Sequence, residues 1–271
     1  MIKKIILFLL GLIFFSAIKG QSEKMDLKIK RSAYLTISTG LSYVNFRDFR
    51  TSPLNYKGVG YFSQISHLKT SDYRESELGI SYQRGTYNNN FNDQSSEASV
   101  YTISLFYGNM YQLNLLSNKN WNTKIGALFS LTGNYRDNPS LQNYSLGTEL
   151  INTLFFSAKT ELKFARKAQK RKKLSYQINA GVLNSNARGN LPKFYDAILT
   201  NDENLQSALD LKVFSGFRVK SALAYTVYLK NKNAIQFSYE WEAYNTGDDG
   251  KQFEMAHRTL KFSLLFNTKN K

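Results

Sequence analysis

The chain has 271 residues, no cysteine and a formal net charge of +16. The lack of cysteine excludes disulfides, thiol catalysis and a lipid anchor on cysteine. A mean hydropathy of −0.41 argues against a helical membrane protein, which needs about 20 consecutive apolar residues for each span. The 18 tyrosines and 19 phenylalanines favour β-strands, and the length fits a single all-β domain.

The N-terminus has the pattern of a secretory signal peptide. Lys3 and Lys4 precede an apolar stretch from Ile5 to Phe15, which is too short to cross a membrane as a helix. We predict cleavage near Gly20, so that residues 1–20 are a signal peptide and residues 21–32 a charged periplasmic lead-in. The alternative is an uncleaved membrane anchor. The polar residues that follow the apolar stretch argue against it.

Ten segments of the remaining chain alternate apolar and polar residues with a period of two, which is typical of strands with one apolar face. The hairpin from Ser99 to Arg136 shows the pattern best, because Tyr101, Ile103 and Leu105 share one face. The predicted strands cover residues 33–47, 56–68, 73–87, 99–114, 121–136, 147–164, 174–187, 211–230, 234–244 and 257–267.

The predicted connections alternate in length. Short turns follow the second, fourth, sixth and eighth strands, and longer polar segments follow the others, among them residues 48–55, 88–97 and 189–208. Outer-membrane β-barrels have short periplasmic turns and long external loops. The alternation therefore predicts an even-stranded barrel with a periplasmic N-terminus, and a soluble periplasmic sandwich or lipocalin-like binding protein is the alternative.

The chain from Ala33 to Phe266 resembles the small bacterial outer-membrane β-barrel proteins as a broad class, in a style similar to Bacteroidota exports. The last strand, His257 to Asn267, is similar to the aromatic-ending strand that the barrel-assembly machinery recognises, although residues 268–271 follow it. The resemblance implies location in the outer membrane of a Gram-negative bacterium, with membrane lipid and the assembly machinery as partners. We predict an all-β, antiparallel up-and-down transmembrane β-barrel of about ten strands over residues 33–271.

The polar face of each predicted strand defines the residues expected to face the lumen, and many of them are charged. Buried charges need partners, so one interpretation is a hydrated network of ion pairs that props the lumen. The other is a narrow, porin-like path that selects small solutes. The predicted lumen-lining residues are Glu75, Glu77, Lys124, Arg136, Lys159, Glu161, Lys163, Arg218, Lys220, Glu240, Glu242 and Lys261.

Candidates for catalysis are few. The carboxylate pairs Glu75 and Glu77, and Glu240 and Glu242, each share a face about 7 Å apart, which suits acid–base chemistry but also follows from any polar lumen. His257, near the predicted outer rim, is the one candidate base there. The sequence therefore favours a structural, interaction or narrow-channel protein over an outer-membrane hydrolase acting on lipid or peptide, and no cofactor or metal is predicted.

A basic segment lies between the sixth and seventh predicted strands. Nucleic acid is the usual partner of such a patch, but the topology places this segment in a periplasmic turn, where no nucleic acid is expected. We expect contact with anionic phospholipid heads or with an acidic periplasmic partner, and a merely solvated turn is the alternative. Its cationic residues are Arg166, Lys167, Lys170, Arg171, Lys172 and Lys173.

Overall fold

The computed structural model of the chain describes residues 31–49, 52–91, 94–118, 120–144, 146–165, 171–189, 209–213, 216–246 and 252–268. The predicted signal peptide and nearly all of the predicted lead-in lie outside these residues. Within them, eleven strands belong to one antiparallel sheet. The strands are β1 (Ser32–Asp48), β2 (Ser52–Thr70), β3 (Arg74–Phe91), β4 (Gln94–Gln112), β5 (Trp121–Asp137), β6 (Leu146–Ala165), β7 (Arg171–Gly189), β8 (Leu209–Val213), β9 (Phe217–Tyr228), β10 (Ala234–Thr246) and β11 (Phe253–Asn267).

The sheet closes into a barrel of ten staves. β1 pairs with both β2 and β11, and β6 pairs with β7, so the ring has no break. The short β8 and the longer β9 pair with successive parts of β7 and together form one stave. This confirms the predicted all-β, up-and-down architecture. Because ten is even, both ends of the barrel-forming chain lie at one end of the barrel, which we call the terminal end, and we call the opposite end the distal end.

The outer wall of the barrel is apolar. On β1, Leu35, Ile37, Leu41 and Tyr43 are 39–61% exposed, whereas the alternate residues are buried inside. Similar exposed residues occur on the other long strands, including Leu105 and Leu260. The predicted outward parity is therefore the observed one, and it arises because successive side chains of a strand point to opposite faces. Among the described residues, no helix is long and apolar enough to cross a membrane.

The strands extend further at the distal end than the sequence pattern predicts. Residues 48–55 and 88–97, predicted as loops, belong mostly to the hairpins β1–β2 and β3–β4, whose strands end at Asp48 and Phe91 and resume at Ser52 and Gln94. The longest turn that the structure describes at the terminal end, residues 113–120, exceeds both of these distal connections. The predicted alternation of loop lengths is therefore wrong at these positions. Strand pairing satisfies the backbone of a hairpin whatever its side chains are, so a polar hairpin carries no apolar alternation.

The seam between β1 and β11 is closed by small side chains on the inner face. Ser38 and Ser263 share a hydrogen bond of 2.8 Å between their hydroxyls, and Ser42 and Thr259 share one of 2.9 Å. Gly40 lies between these two pairs. A β-carbon at Gly40 would lie 2.2 Å from the carbonyl oxygen of Leu260, so the seam requires glycine there.

Candidate functional site: the barrel lumen

Charged side chains meet at three levels of the lumen, and those at the terminal end form the largest network. Glu75 on β3 and Glu161 on β6 are bridged by Lys124 on β5, with Nζ–Oε distances of 3.1 and 3.5 Å. Lys159 also contacts both carboxylates, and Lys173 pairs with Glu161 at 2.8 Å. We call these five residues the terminal ion cluster. The Lys124 side chain is fully buried, so its charge depends on these partners.

The terminal end is completed by an apolar group on the other side of the barrel. Tyr34, Ala234 and Leu265 are at most 4% exposed and pack together with Leu68 and Tyr228. These residues come from strands β1, β2, β9, β10 and β11, whereas the terminal ion cluster comes from β3, β5, β6 and β7. The two groups therefore fill opposite halves of the same end of the lumen.

A second group of charges lies on β9, β10 and β11. Glu242 accepts hydrogen bonds from Arg218 at 2.6 Å, and it lies 3.1 Å from both Lys220 and His257. Arg218 also donates to the Thr132 hydroxyl across the lumen at 3.0 Å. We call Arg218, Lys220, Glu242 and His257 the central ion cluster. It links β9, β10 and β11 to the opposite wall of the barrel.

Aromatic side chains fill the lumen at the distal end. Phe46, Tyr56, Tyr87, Tyr244 and Phe253 are at most 4% exposed and pack with smaller apolar residues. Phe46 stacks on Tyr56 with ring centroids 5.1 Å apart and meets Tyr87 edge to face at 5.9 Å. We call these five residues the distal aromatic cluster. The alternating pattern does not predict this cluster, because it places apolar residues on the outer wall.

Arg136 links the distal aromatic cluster to two carboxylates on the inner wall of the barrel. The guanidinium of Arg136 lies 4.0 Å from the ring centroid of Phe253 and pairs with Asp48 at 2.7 Å and with Glu149 at 3.0 Å. The Arg136 guanidinium thus combines two recognition modes of arginine, a cation over an aromatic face and ion pairs with carboxylates. Asn138 and Asn134 donate to the hydroxyls of two tyrosines of the cluster, at 2.7 and 2.6 Å.

Between the two ends lies a chamber of about 140 Å³. Its wall carries hydroxyl and amide groups such as Ser104, Ser130 and Asn179, together with the central ion cluster. The apolar residues Phe62 and Phe106 also contribute to the wall. The lumen is thus a polar chamber between a charged terminal end and an aromatic distal end.

The structure places all twelve residues predicted to line the lumen on inward-facing positions. The carboxylate pairs do not act together, since Glu75 contacts lysines while Glu77 accepts from Ser66 at 2.7 Å. Likewise Glu240 pairs with Lys261, and Glu242 belongs to the central ion cluster.

Three charged members of the lumen escaped the sequence analysis: Asp48, Glu149 and Lys173. Glu149 shares the inward parity of β6 and was identifiable from it. Asp48 was assigned to a loop and Lys173 to the basic turn, but both lie on strands. Of that basic segment, residues 171–173 begin β7, and residues 166–170 lie outside the described part of the chain.

His257 is not a rim residue. It is the fifth residue of β11, faces the chamber, and is 17% exposed. Among the residues that the structure describes, no group of three or more His, Cys, Asp or Glu side chains is arranged to hold a metal ion.

Comparison with solved structures finds bacterial outer-membrane proteins. The outer membrane protease OmpT from Escherichia coli has a TM-score of 0.53 and 9% sequence identity, over 89% of this chain and 99% of that chain. The β domain of the Bordetella autotransporter BrkA gives 0.44 and 10%, over 87% and 99%. The Pseudomonas putida toluene transporter TodX gives 0.31 and 7%, over 90% and 92%.

No protein-family model matches the sequence, and no curated protein matches it significantly. At 9% identity, the similarity to OmpT extends to the fold. The chain therefore has the fold of the bacterial outer-membrane β-barrels.

Proposed function

We propose that the protein is an outer-membrane β-barrel whose lumen is closed in the resting state, with a structural or interaction role rather than that of an open pore. The observation that carries this proposal is the filling of the lumen at both ends. Lys124 of the terminal ion cluster and Tyr87 and Phe253 of the distal aromatic cluster have no exposed side-chain surface. An open porin of larger strand number keeps a water-filled channel instead.

The location in a membrane is supported by the outer wall. Leu41, Val59 and Leu260 are about 60% exposed, and the apolar residues form a continuous band around the barrel. Such a band is far larger than the apolar patches of soluble proteins and needs a lipid covering. On β1 the band runs from Leu35 to Tyr43, close to the nine to eleven residues of a tilted membrane strand.

Conductance in planar lipid bilayers tests the closed lumen. We expect no stable conductance steps from the purified protein. A triple variant with Tyr87→Ala, Phe253→Ala and Lys124→Ala should open a path through the lumen and give stable conductance steps. Heat-modifiability on gels verifies that both proteins are folded before insertion. Stable steps from the unaltered protein would replace the closed barrel with the narrow-channel interpretation.

The hydrolase interpretation has less support. The pairing of His257 with Glu242 orients its imidazole toward a carboxylate, as in many catalytic sites, but the residue faces the chamber inside the barrel and not the outer rim. The protease activity of OmpT belongs to that protein, because the resemblance concerns the fold. Lipid or peptide hydrolysis that disappears in His257→Ala and persists in Lys261→Ala would restore the hydrolase interpretation.

A further inference from the structure

Residues 113–118, which follow β4 in the turn to β5, fold back onto the outer wall of the barrel. Thr123 has the outward parity of its neighbours Trp121 and Ile125, yet it is only 8% exposed. Its hydroxyl donates to the carbonyl of Leu116 at 3.1 Å, and its backbone N–H donates to the hydroxyl of Ser117 at 3.0 Å. The turn therefore covers an outward-facing position of β5 instead of extending away from the barrel along its axis.

This arrangement covers a polar spot on the outer wall. Thr123 lies beside Thr160 of β6, which is also on the outward face, and their hydroxyls are 3.4 Å apart. Hydroxyl groups that face hydrocarbon need hydrogen-bond partners. The folded turn supplies one through the Leu116 carbonyl, so the polar spot is satisfied within the protein.

The same turn presents two leucines to the outside. Leu115 is 90% exposed, the highest value among the large apolar side chains that the structure describes, and Leu116 is 56% exposed. Trp121, 42% exposed, lies at the start of β5 next to the turn and in register with Leu162. The leucines therefore extend the apolar outer wall at its terminal edge, where tryptophan marks the membrane–water interface of a barrel.

We infer that residues 113–118 form a membrane foot, a folded turn that inserts Leu115 and Leu116 into the lipid leaflet at the terminal end of the barrel. The occupant of this surface is lipid, at the boundary between headgroups and acyl chains, because the turn that carries the leucines is bonded to the outer wall. The Leu116 carbonyl accepts from Thr123, and the Asn118 N–H donates to the backbone carbonyl of Trp121 at 2.7 Å. Each buried leucine favours insertion by removing apolar surface from water. The inference rests on the membrane location proposed above.

Site-directed spin labelling tests the foot, and the absence of cysteine from the chain makes single labels straightforward. Labels are placed by Leu115→Cys in the foot, by Leu105→Cys on the outer wall, and by Lys230→Cys in the β9–β10 turn at the same end. In reconstituted vesicles, collision rates with oxygen report lipid and those with a water-soluble nickel chelate report water. We expect the label at position 115 to favour oxygen several-fold over the label at position 230.

The control positions separate the two ways in which this experiment fails. If position 105 favours oxygen and position 115 matches position 230, the foot is overturned and the membrane location stands. If the label at position 105 is accessible to the nickel chelate, the proposed membrane location is contradicted, and the membrane foot is contradicted with it.

Tryptophan fluorescence gives a second measurement without a label in the turn. The chain has two tryptophans, so Trp241→Phe leaves Trp121 as the reporter beside the foot. Brominated phospholipids quench a tryptophan at the interface, and we expect Leu115→Asn with Leu116→Asn to reduce this quenching. Leu229→Asn, an exposed leucine of the β9–β10 turn, is the matched control, and equal quenching in all three proteins would contradict the inference.

Discussion

Lys124 is the residue on which the terminal ion cluster depends most. Its ammonium group is completely buried and contacts two carboxylates from different strands. Removing one partner of a buried pair leaves the other charge without compensation, which usually destabilises a protein by about 3–5 kcal/mol. Glu75 and Glu161 keep contacts with Lys159, so the expected loss lies at the lower end of this range.

We therefore expect Lys124→Ala to lower the free energy of unfolding by about 3 kcal/mol, measured by urea denaturation of the protein in detergent micelles. The matched control is Lys163→Ala, because the pair of Lys163 with Asp72 is partly exposed and such pairs contribute about 1 kcal/mol or less. Equal losses from the two substitutions would show that the terminal ion cluster adds nothing beyond a surface pair.

The sequence predicts that a residue faces the lumen only where apolar and polar residues alternate along the strand. Lys124 and Glu161 are predicted to face inward because they have the polar parity of strands whose other parity is mostly apolar, as at Ile125 and Leu162. Phe253 and Tyr87 face inward as well, but an apolar residue inside a polar lumen breaks the rule on which the assignment rests. Which charge pairs with which also depends on the stagger of neighbouring strands, and a single sequence does not contain that stagger.

At the scale of single elements, the seam between β1 and β11 joins the first and last strands to be synthesised. Their backbones approach closely at Gly40, where any β-carbon meets the Leu260 carbonyl. Two hydroxyl pairs flank this position, so small residues continue along the inner face of the seam. The close approach of the two strands thus depends on small residues, which a pattern of apolar residues does not reveal.

We expect Gly40→Ala to destabilise the closed barrel by about 1–3 kcal/mol, since the strands must move apart to admit a methyl group. The measurement is the temperature at which the compact band on a gel converts to the unfolded band. Gly133→Ala is the control, because a β-carbon there lies 3.6 Å from its nearest neighbour, the side chain of Ile103. An unchanged transition in Gly40→Ala would mean that the seam tolerates a wider spacing.

Elements were easier to predict from the sequence than their ends. All ten staves were found, because each has an apolar side that contacts the surroundings of the barrel. The sequence pattern does not predict the distal parts of β2 and β3, since Ser52 to Asn55 and Asn88 to Phe91 lack the apolar alternation and continue the strand pairings with β1 and β4. Backbone hydrogen bonds are nearly independent of side-chain type, so they leave no pattern in the sequence.

The whole molecule carries its charge asymmetrically. The connections at the terminal end, residues 71–73, 113–120, 166–170 and 229–233 with the tail 268–271, contain eight Lys or Arg residues and one Asp. The distal connections, residues 49–51, 92–93, 138–145, 190–208 and 247–252, contain three Lys or Arg residues and six Asp or Glu. By sequence, the connections are therefore basic at the terminal end and acidic at the distal end.

We propose that the positive terminal end prefers anionic lipid, and each cation near such a surface contributes about 1 kcal/mol. The triple change R166Q, K167Q and K170Q should then lower the fraction of anionic phospholipid retained by the protein in nanodiscs of mixed composition, measured by mass spectrometry. The distal double change K193Q and K251Q should leave that fraction unchanged. Equal retention in all three proteins would favour a merely solvated turn.

The first and last strands of the barrel are neighbours, because β1 and β11 are paired and the backbone N–H of Thr268 donates to the carbonyl of Ala33 at 2.9 Å. A short peptide is therefore enough to join them. A circular permutant whose new ends lie between Phe91 and Gln94 would keep every stave in place. Its new N- and C-termini would emerge at the distal end of the barrel, so a fused domain would lie at the end opposite to Ala33 and Thr268.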